Sequence, residues 1–407
     1  MVPKLRFREF GDCWVQCNIQ DLVNDFVIDK PMDGNHGEIH PVSTDYIDNG
    51  IPFIMASDII DGEIDFIGCK KIKLEQATNL RKGFSLTGDI LLTHKATIGN
   101  VAIVPELPYP FIMLTPQVTY YRVINNTKLL NRYMRYFFET PFFIKELTEL
   151  CTGATRPYIG ISEQRKLPFR HCSIKEQYKI ADFLSSVDEK ISLLNKQYNL
   201  LCQYKKEVMR KIFSQELRFT DKNGGDFPEW EYGAISELIS NKSEKYNPQD
   251  GISYPCVELD CISQEDGKLL KTVNSLLQKS IKNTFKKGDV LFGKLRPYLR
   301  KYILAPFDGV CSSEIWVLKG ILMNNYFLYQ FIQTDFFINL ANKSTGSKMP
   351  RADWDTISST FISYPGKEEQ TKIANFLSAI DDKITEKKVE LDKLKTWKQG
   401  LLQQMFV

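Results

Sequence analysis

The sequence predicts a mixed α/β (α+β) chain in which two globular domains sit at opposite ends of an antiparallel two-helix coiled coil, the halves related by an internal pseudo-twofold repeat. Three observations lead there. Glu176-Gln-Tyr-Lys-Ile-Ala-Asp-Phe-Leu-Ser-Ser-Val-Asp-Glu-Lys-Ile191 aligns without a gap on Glu369-Gln-Thr-Lys-Ile-Ala-Asn-Phe-Leu-Ser-Ala-Ile-Asp-Asp-Lys-Ile384, 193 residues further on (176 against 369). Both copies open a long segment with an apolar heptad rhythm. The sequence before each copy carries the same short anchors in the same order, which marks a duplication of the whole half and not of one helix.

The helices come first. In one, Ile180, Leu184, Val187, Ile191, Leu194, Tyr198, Leu201, Val208 and Ile212 recur at steps of four and three, with Lys205 in the single polar slot. In the other, the seam is Ile373, Leu377, Ile380, Ile384, Leu391, Leu394, Leu401 and Met405, with Lys387 and Lys398 as exceptions. Neither stretch contains Pro. Each predicts a helix of about 38 residues, roughly 57 Å long. Ordinary globular helices are much shorter, so the two are expected to pair with each other. The chain must leave the end of one and enter the start of the other through a single compact domain, which favours antiparallel pairing. The resulting division is 1–172 for the first domain, 173–216 for the first helix, 217–365 for the second domain and 366–407 for the second helix.

The globular halves follow in order. Leu5-Arg-Phe7, Phe10, Trp14 and Leu22 correspond to Leu217-Arg-Phe219, Phe227, Trp230 and Leu238. Gly88-Asp-Ile-Leu-Leu92 and Gly288-Asp-Val-Leu-Phe292 read as a turn followed by a strand. His94–Asn100 and Gly293–Lys301 then read as polar loops leading into Val101–Val104 and Tyr302–Leu304. Aromatic helical segments follow, Tyr133–Phe138 with Phe142 and Phe143, and Tyr326–Phe331 with Phe336 and Phe337; their three-to-four spacing points to core. Turn-rich loops, Thr152–Tyr158 and Thr345–Arg351, precede short extended stretches and the long helices. The chain end near Phe406 is expected beside its start, as in a cyclic dimer cut open once.

Composition bounds the partners and the chemistry. A length of 407 residues suits two substantial cores. The net charge of +3 carries no argument for nucleic acid by itself. The charged start, Met1 to Phe10, does not read as a signal peptide, and no apolar run reaches a membrane span. Nine scattered cysteines without a Cys-x-x-Cys pair fit reduced thiols and a cytoplasmic location.

Catalytic patterns are missing. Cys13 and Cys17 with His36 and His40 resemble a stretched zinc spacing, but Gly37 and Pro41 spoil the helix such histidines need, so no metal is expected. His94 and His171 read as loop or surface residues. The sequence holds no phosphate-binding Gly-rich loop and no Asn/Asp-Pro-Pro-aromatic element for holding a target amine. The acidic pairs Asp188-Glu189 and Asp381-Asp382 read as a solvated helix face. Recognition is therefore sought in the cationic loops. Lys294, Arg296, Arg300 and Lys301, interleaved with Tyr298, suit phosphate neutralisation and Arg-to-guanine pairing. Lys95 and Thr97 hold the corresponding loop of the first half. Arg156 with Tyr158, and Lys348 with Arg351, occupy the two turn-rich loops.

Taken together, the twice-repeated Glu-Gln-x-x-Lys-Ile-Ala-x-Phe-Leu-Ser opening of each helix, the Leu-Arg-Phe…Trp entry, the Gly-Asp strand and the Thr-Gly loop resemble the specificity subunits of type I restriction-modification systems, along the whole chain. The second half has Met349-Pro-Arg351 where the first has Arg156-Pro-Tyr158. The resemblance implies two target-recognition domains, each reading one half of a bipartite, asymmetric site on double-stranded DNA, with the helices fixing the gap. It implies two modification subunits that bind S-adenosylmethionine and methylate adenine N6, restriction subunits that use ATP and Mg, and no cofactor in this chain. Two other readings stay open: a protein-interaction scaffold, and a stand-alone DNA methyltransferase or nuclease.

Overall fold

The computed structural model describes residues 2–152, 157–343 and 350–406; Arg156 and Lys348 lie outside them. The chain divides into two units, Met1–Asn195 with Val389–Val407, and Lys196–Lys388. That division passes through both long helices, whereas the sequence repeat puts its boundaries at their ends. The helices run Ile174–Phe213 and Lys367–Met405.

In the first unit, strands Met32–Asp33, Val118–Tyr121, Ile90–Lys95 and Thr97–Ile103 form an antiparallel sheet in that spatial order. A second sheet orders Lys70–Ile72, Ile51–Ile54, Ile112–Leu114 and Phe84–Ser85, with its central pair parallel. Val15–Asn18 pairs with Pro168–His171 just before the long helix. The second unit repeats the plan. Ile239–Ser240, Ile315–Gly320, Val290–Gly293 and Tyr302–Leu304 form the antiparallel sheet. Lys245–Tyr246, Lys282–Phe285, Gly309–Cys311, Pro255–Val257 and Val273–Asn274 form the other, again with one parallel pair. Glu231–Ala234 pairs with Phe361–Tyr364.

The duplicated anchors have physical reasons. Gly88 and Gly288 sit at φ +86° and +87°, a turn conformation that costs glycine least. The Asp after each accepts from the backbone three residues back, Leu86 N–H at 2.7 Å and Lys286 N–H at 2.8 Å. Each Gly carbonyl accepts from an Asn side chain at the start of the aromatic helix, Asn131 at 3.1 Å and Asn325 at 2.8 Å. Those helices, Asn131–Phe138 and Asn325–Phe331, bury Tyr133, Phe137, Phe138, Phe327 and Phe331, so the aromatic runs are mainly core, whereas Tyr326 and Phe336, expected there too, are exposed.

The Leu-Arg-Phe and Glu-Gln motifs are two sides of one joint. Arg6 donates to both oxygens of fully buried Glu176, at 2.7 and 2.8 Å. Arg218 does the same to Glu369, which also accepts from the Trp230 indole at 3.1 Å. Phe7 packs edge-on against Phe183, and Phe219 against Phe376. Gln177 caps Leu130 N–H and donates to the Lys128 and Cys172 carbonyls; Gln370 repeats this with Asn324, Leu322 and Pro365. In the first unit Leu5 N–H donates to the Gln404 carbonyl at 2.9 Å, and Phe406 packs on Trp14.

Most seam positions are enclosed. Ile180, Leu184, Val187, Ile373, Leu377, Ile380 and Leu401 are buried, as are Leu194, Val208 and Leu391. Ile191, Leu201, Ile384 and Leu394 are half-buried. In the second unit Tyr198 lies by Lys388 and Lys205 by Asp381. As one number rises the other falls, so the helices run antiparallel there.

Two expectations need correction. Asp188 and Asp381 do not face solvent freely. Asp188 pairs with Lys398 at 2.7 Å and Arg135 at 2.8 Å and accepts from Tyr136 at 2.9 Å. Asp381 pairs with Lys205 at 2.6 Å and accepts from Gln330 at 3.1 Å. The polar slots in the seam thus supply each half-buried carboxylate with its counter-charge, which offsets its partial loss of water. Burial alone would raise the Asp188 pKa, but Lys398 and Arg135 outweigh it and lower the value. His94, expected at the surface, is buried in a strand, where its Nδ1 lies 2.9 Å from the Thr119 hydroxyl. His171 is half-buried on the strand that leads into the first long helix. The histidines of the zinc-like spacing bond elsewhere, His36 to Asp33 at 2.9 Å and His40 to the Asn35 carbonyl at 3.1 Å.

Candidate nucleic-acid interface

The polar loops and the turn-rich loops, far apart in sequence, meet in space. In the first unit, Ile90–Lys95 and Thr97–Ile103 form a hairpin whose tip is Ala96, at φ +67°. Ala96 N–H donates to the Pro157 carbonyl at 3.3 Å, and Ile159 N–H to the His94 carbonyl at 3.1 Å. Thr152 and Tyr158 exchange two backbone hydrogen bonds, each 2.9 Å, closing the base of the other loop. Lys95, Thr97 and Tyr158 are consequently neighbours and all exposed.

The second unit builds the same ladder. Arg296 N–H donates to the Pro350 carbonyl and Ala352 N–H to the Lys294 carbonyl, both at 2.8 Å, with Leu295 bridged to Arg351. Matching these bonds aligns Ala96 with Arg296, Lys95 with Leu295, His94 with Lys294, and Tyr158 with Arg351. Arg296 keeps the left-handed backbone of Ala96, at φ +52°, so the turn is a property of the scaffold while the side chain on it differs.

The side chains fall into two groups. Arg296 and Tyr298 are exposed, and Arg296 makes no ion pair with another described residue. Lys294 is half-buried. Arg351 is 60% exposed and grips Glu314 with two hydrogen bonds, 3.0 and 3.2 Å, a surface pair that costs little to exchange for another anion. Arg300 and Lys301 turn inward. Arg300 is ion-paired with Asp335 and donates to the Gln333 carbonyl at 3.2 Å. Lys301 donates to the Leu259 carbonyl at 2.6 Å. The four cations of this run therefore do not form one exposed patch, because the short turn Pro297–Leu299 reverses the chain between them.

Beside the first hairpin lies a buried polar group that sequence reading missed. Asp33 accepts from Lys82 and His36, with the His94 imidazole 4.0 Å away. Burial works to raise the Asp33 pKa, but the Lys82 and His36 hydrogen bonds lower it. Burial depresses the His94 pKa to about 4. His94 ends a run of five consecutive buried residues, Ile90 to His94, in a strand enclosed on both faces, whereas a loop was expected there. Among the described residues no cluster of His, Cys, Asp and Glu is arranged to hold a metal ion, and no helix is long and apolar enough to cross a membrane.

Comparison with known proteins completes the assignment. The profile of the family described as "Type I restriction modification DNA specificity domain" matches residues 36–203 and again 211–396. The MjaIX specificity subunit of a type I restriction enzyme from Methanocaldococcus jannaschii is 23% identical over 385 residues, covering 88% of this chain and 86% of the relative. The EcoDI specificity subunit from Escherichia coli is 24% identical over 260 residues, 56% and 58% of the two chains. Among solved structures, a type I restriction-modification S subunit from M. genitalium superposes with a TM-score of 0.59 at 16% identity, covering 100% of this chain and 99% of the other. A chain from a type I restriction-modification complex gives 0.52 at 14% identity, covering 97% of each. With two profile matches spanning most of its length, the chain belongs to the type I restriction modification DNA specificity family, whose members serve as specificity subunits and not as the catalytic ones.

Proposed function

We propose that the chain reads a bipartite, asymmetric site on double-stranded DNA, one half-site per recognition domain (1–172 and 217–365), and positions adenine-N6 methyltransferase subunits on it. The observation that carries this reading is the repeated ladder of loops with unlike side chains at matched positions. A common backbone that presents Lys95, Thr97 and Tyr158 in one half, but Arg296, Tyr298 and Arg351 in the other, is suited to reading two different words. The helices 173–216 and 366–407 then set the unspecified gap, by the geometric logic that ties half-site spacing to the protein that carries the readers.

The partners in this reading are two modification subunits that hold S-adenosylmethionine, and restriction subunits that use ATP and Mg, all in the cytoplasm; this chain contributes no cofactor. Lys294 is a phosphate-facing candidate beside the exposed residues, and Arg156 and Lys348 are kept from the sequence as candidates on the same loops. The test is methylome sequencing of cells carrying the gene with its modification subunits, joined to footprinting of the complex. A single gapped motif and two protected patches support the reading. Methylation by the isolated chain, or no protection, refutes it.

A further inference from the structure

The geometry points to Arg300 as a positioning residue that locks the recognition loop of the second domain onto the corner between two helices, so that Arg296 and Tyr298 are aimed at the duplex; this rests on the DNA-reading role proposed above. Arg300 sits at φ +48°, a conformation that a non-glycine residue adopts only at a cost. The corresponding position in the first half is glycine. Matching Leu92–Val101 with Phe292–Tyr302 across the two hairpins puts Gly99, at φ +90°, where Arg300 stands. A side chain on Gly99 would meet Ile144 at 2.9 Å, so the first loop is packed down directly on the helix Pro141–Glu149.

The second loop is held by charge instead. The Arg300 guanidinium reaches Asp335, the first residue of the helix Asp335–Ala341, and the carbonyl of Gln333 just before it. It holds the Asp335 carboxyl below its usual pKa. That corner is itself fixed: the Gln333 side chain accepts from Lys205 at 2.7 Å, and Asp335 lies 3.6 Å from Lys206, both on the first long helix. Only four residues before Arg300 stands Arg296, also left-handed and exposed. Two strained arginines thus bracket one short turn, one anchored and one presented. A loop of this kind keeps its strained form only while its surroundings over-determine it. Arg300, held by both the Asp335 carboxylate and the Gln333 carbonyl, therefore acts through Arg296.

The test uses the full chain in complex with its modification subunits, with Arg300→Gly, Asp335→Asn and the double variant. Glycine suits the backbone at 300, so Arg300→Gly removes the anchor without adding strain. In the DNA-free protein, both single variants should raise amide exchange over 294–301 while leaving 325–331 protected; unchanged exchange overturns the anchor whatever the DNA data say. On DNA, both should cut discrimination in the second half-site by about tenfold, the order of one misplaced base contact, and leave the first half-site alone. The double variant should match either single one. The slope of log affinity against log salt should stay as in the parent. A fall of about one unit in that slope for Arg300→Gly, with Asp335→Asn silent, would make Arg300 a phosphate contact and overturn the proposal. A loop that loosens without any change at either half-site refutes the DNA-reading role of the loop, and with it the aiming of Arg296.

Discussion

At the scale of single residues, exposure separates the side chains proposed to address DNA from those that build the protein. Arg296 is exposed on a fixed turn and makes no ion pair with another described residue, so in the proposed reading Arg296→Ala should relax one position of the second half-site by about 1–3 kcal/mol, the worth of a bidentate base contact. Motif sequencing should show degeneracy there and an unchanged first half-site. His94 is the opposite case. Its folded pKa of about 4 lies below the unfolded value near 6.5. Its neutral form is therefore the one the fold accepts, and the associated stability is complete above pH 6.5. As pH falls from 6.5 towards 4 the unfolded chain takes up a proton that the folded one refuses, and up to about 3 kcal/mol is lost. Thermal melts across that window should fall more steeply for the parent than for His94→Gln. Sequence alone could pick out the cationic residues but not sort them: nothing in Arg296-Pro-Tyr-Leu-Arg-Lys301 says that the turn sends Arg300 and Lys301 back to Asp335 and the Leu259 carbonyl.

At the scale of elements, the long helices and the strand after each Gly-Asp were legible because each rests on a strong local signal: a sustained heptad in one case, an obligatory turn in the other. The second sheet of each unit was not, because strands such as Phe84–Ser85 and Lys245–Tyr246 are too short to show alternation. The polar positions of the seam were read as exceptions when they are partners. Lys205 and Lys398 serve Asp381 and Asp188, residues distant in sequence and invisible to any window. The helix starts are held similarly. Glu176→Ala should leave Arg6 half-enclosed without its carboxylate and lower unfolding free energy by about 3–5 kcal/mol, with chemical denaturation as the measurement; exposed Glu189→Ala should move it by less than about 0.5 kcal/mol. The helices also carry the proposed gap. One heptad added to each, of about 10 Å, should lengthen the tolerated spacer by roughly three base pairs at 3.4 Å each while both words persist. Altered words with an unaltered spacer would separate the helices from that task.

At the scale of the whole molecule, duplication means that one half makes covalently what the other makes by contact. In the second unit the chain passes from Phe213 through Ser214, Gln215 and Glu216 to Leu217, and Leu217 N–H donates to the Lys211 carbonyl at 3.0 Å. In the first unit Leu5 N–H donates to the Gln404 carbonyl at 2.9 Å. These are the same bond at matched positions, with no peptide linkage between Phe406 and Leu5. The connecting segment 214–216 is therefore dispensable to the geometry it spans, and its counterpart can be supplied. A permuted chain in which Phe406 is joined to Leu5 by a copied Ser-Gln-Glu segment, and which is opened between Gln215 and Glu216, should fold and read the same two words. Gln215 is exposed and left-handed at φ +63°, so cutting beside it relieves strain and disturbs no core. Opening the chain instead within Ile90–Lys95, where the backbone pairs on both sides and the apolar side chains are buried, should abolish folding. The comparison is made by circular dichroism melts and by methylated motif. If the first permutant melts early or loses one word, the bond at Leu5 depends on features of the open chain that the duplicated half does not share.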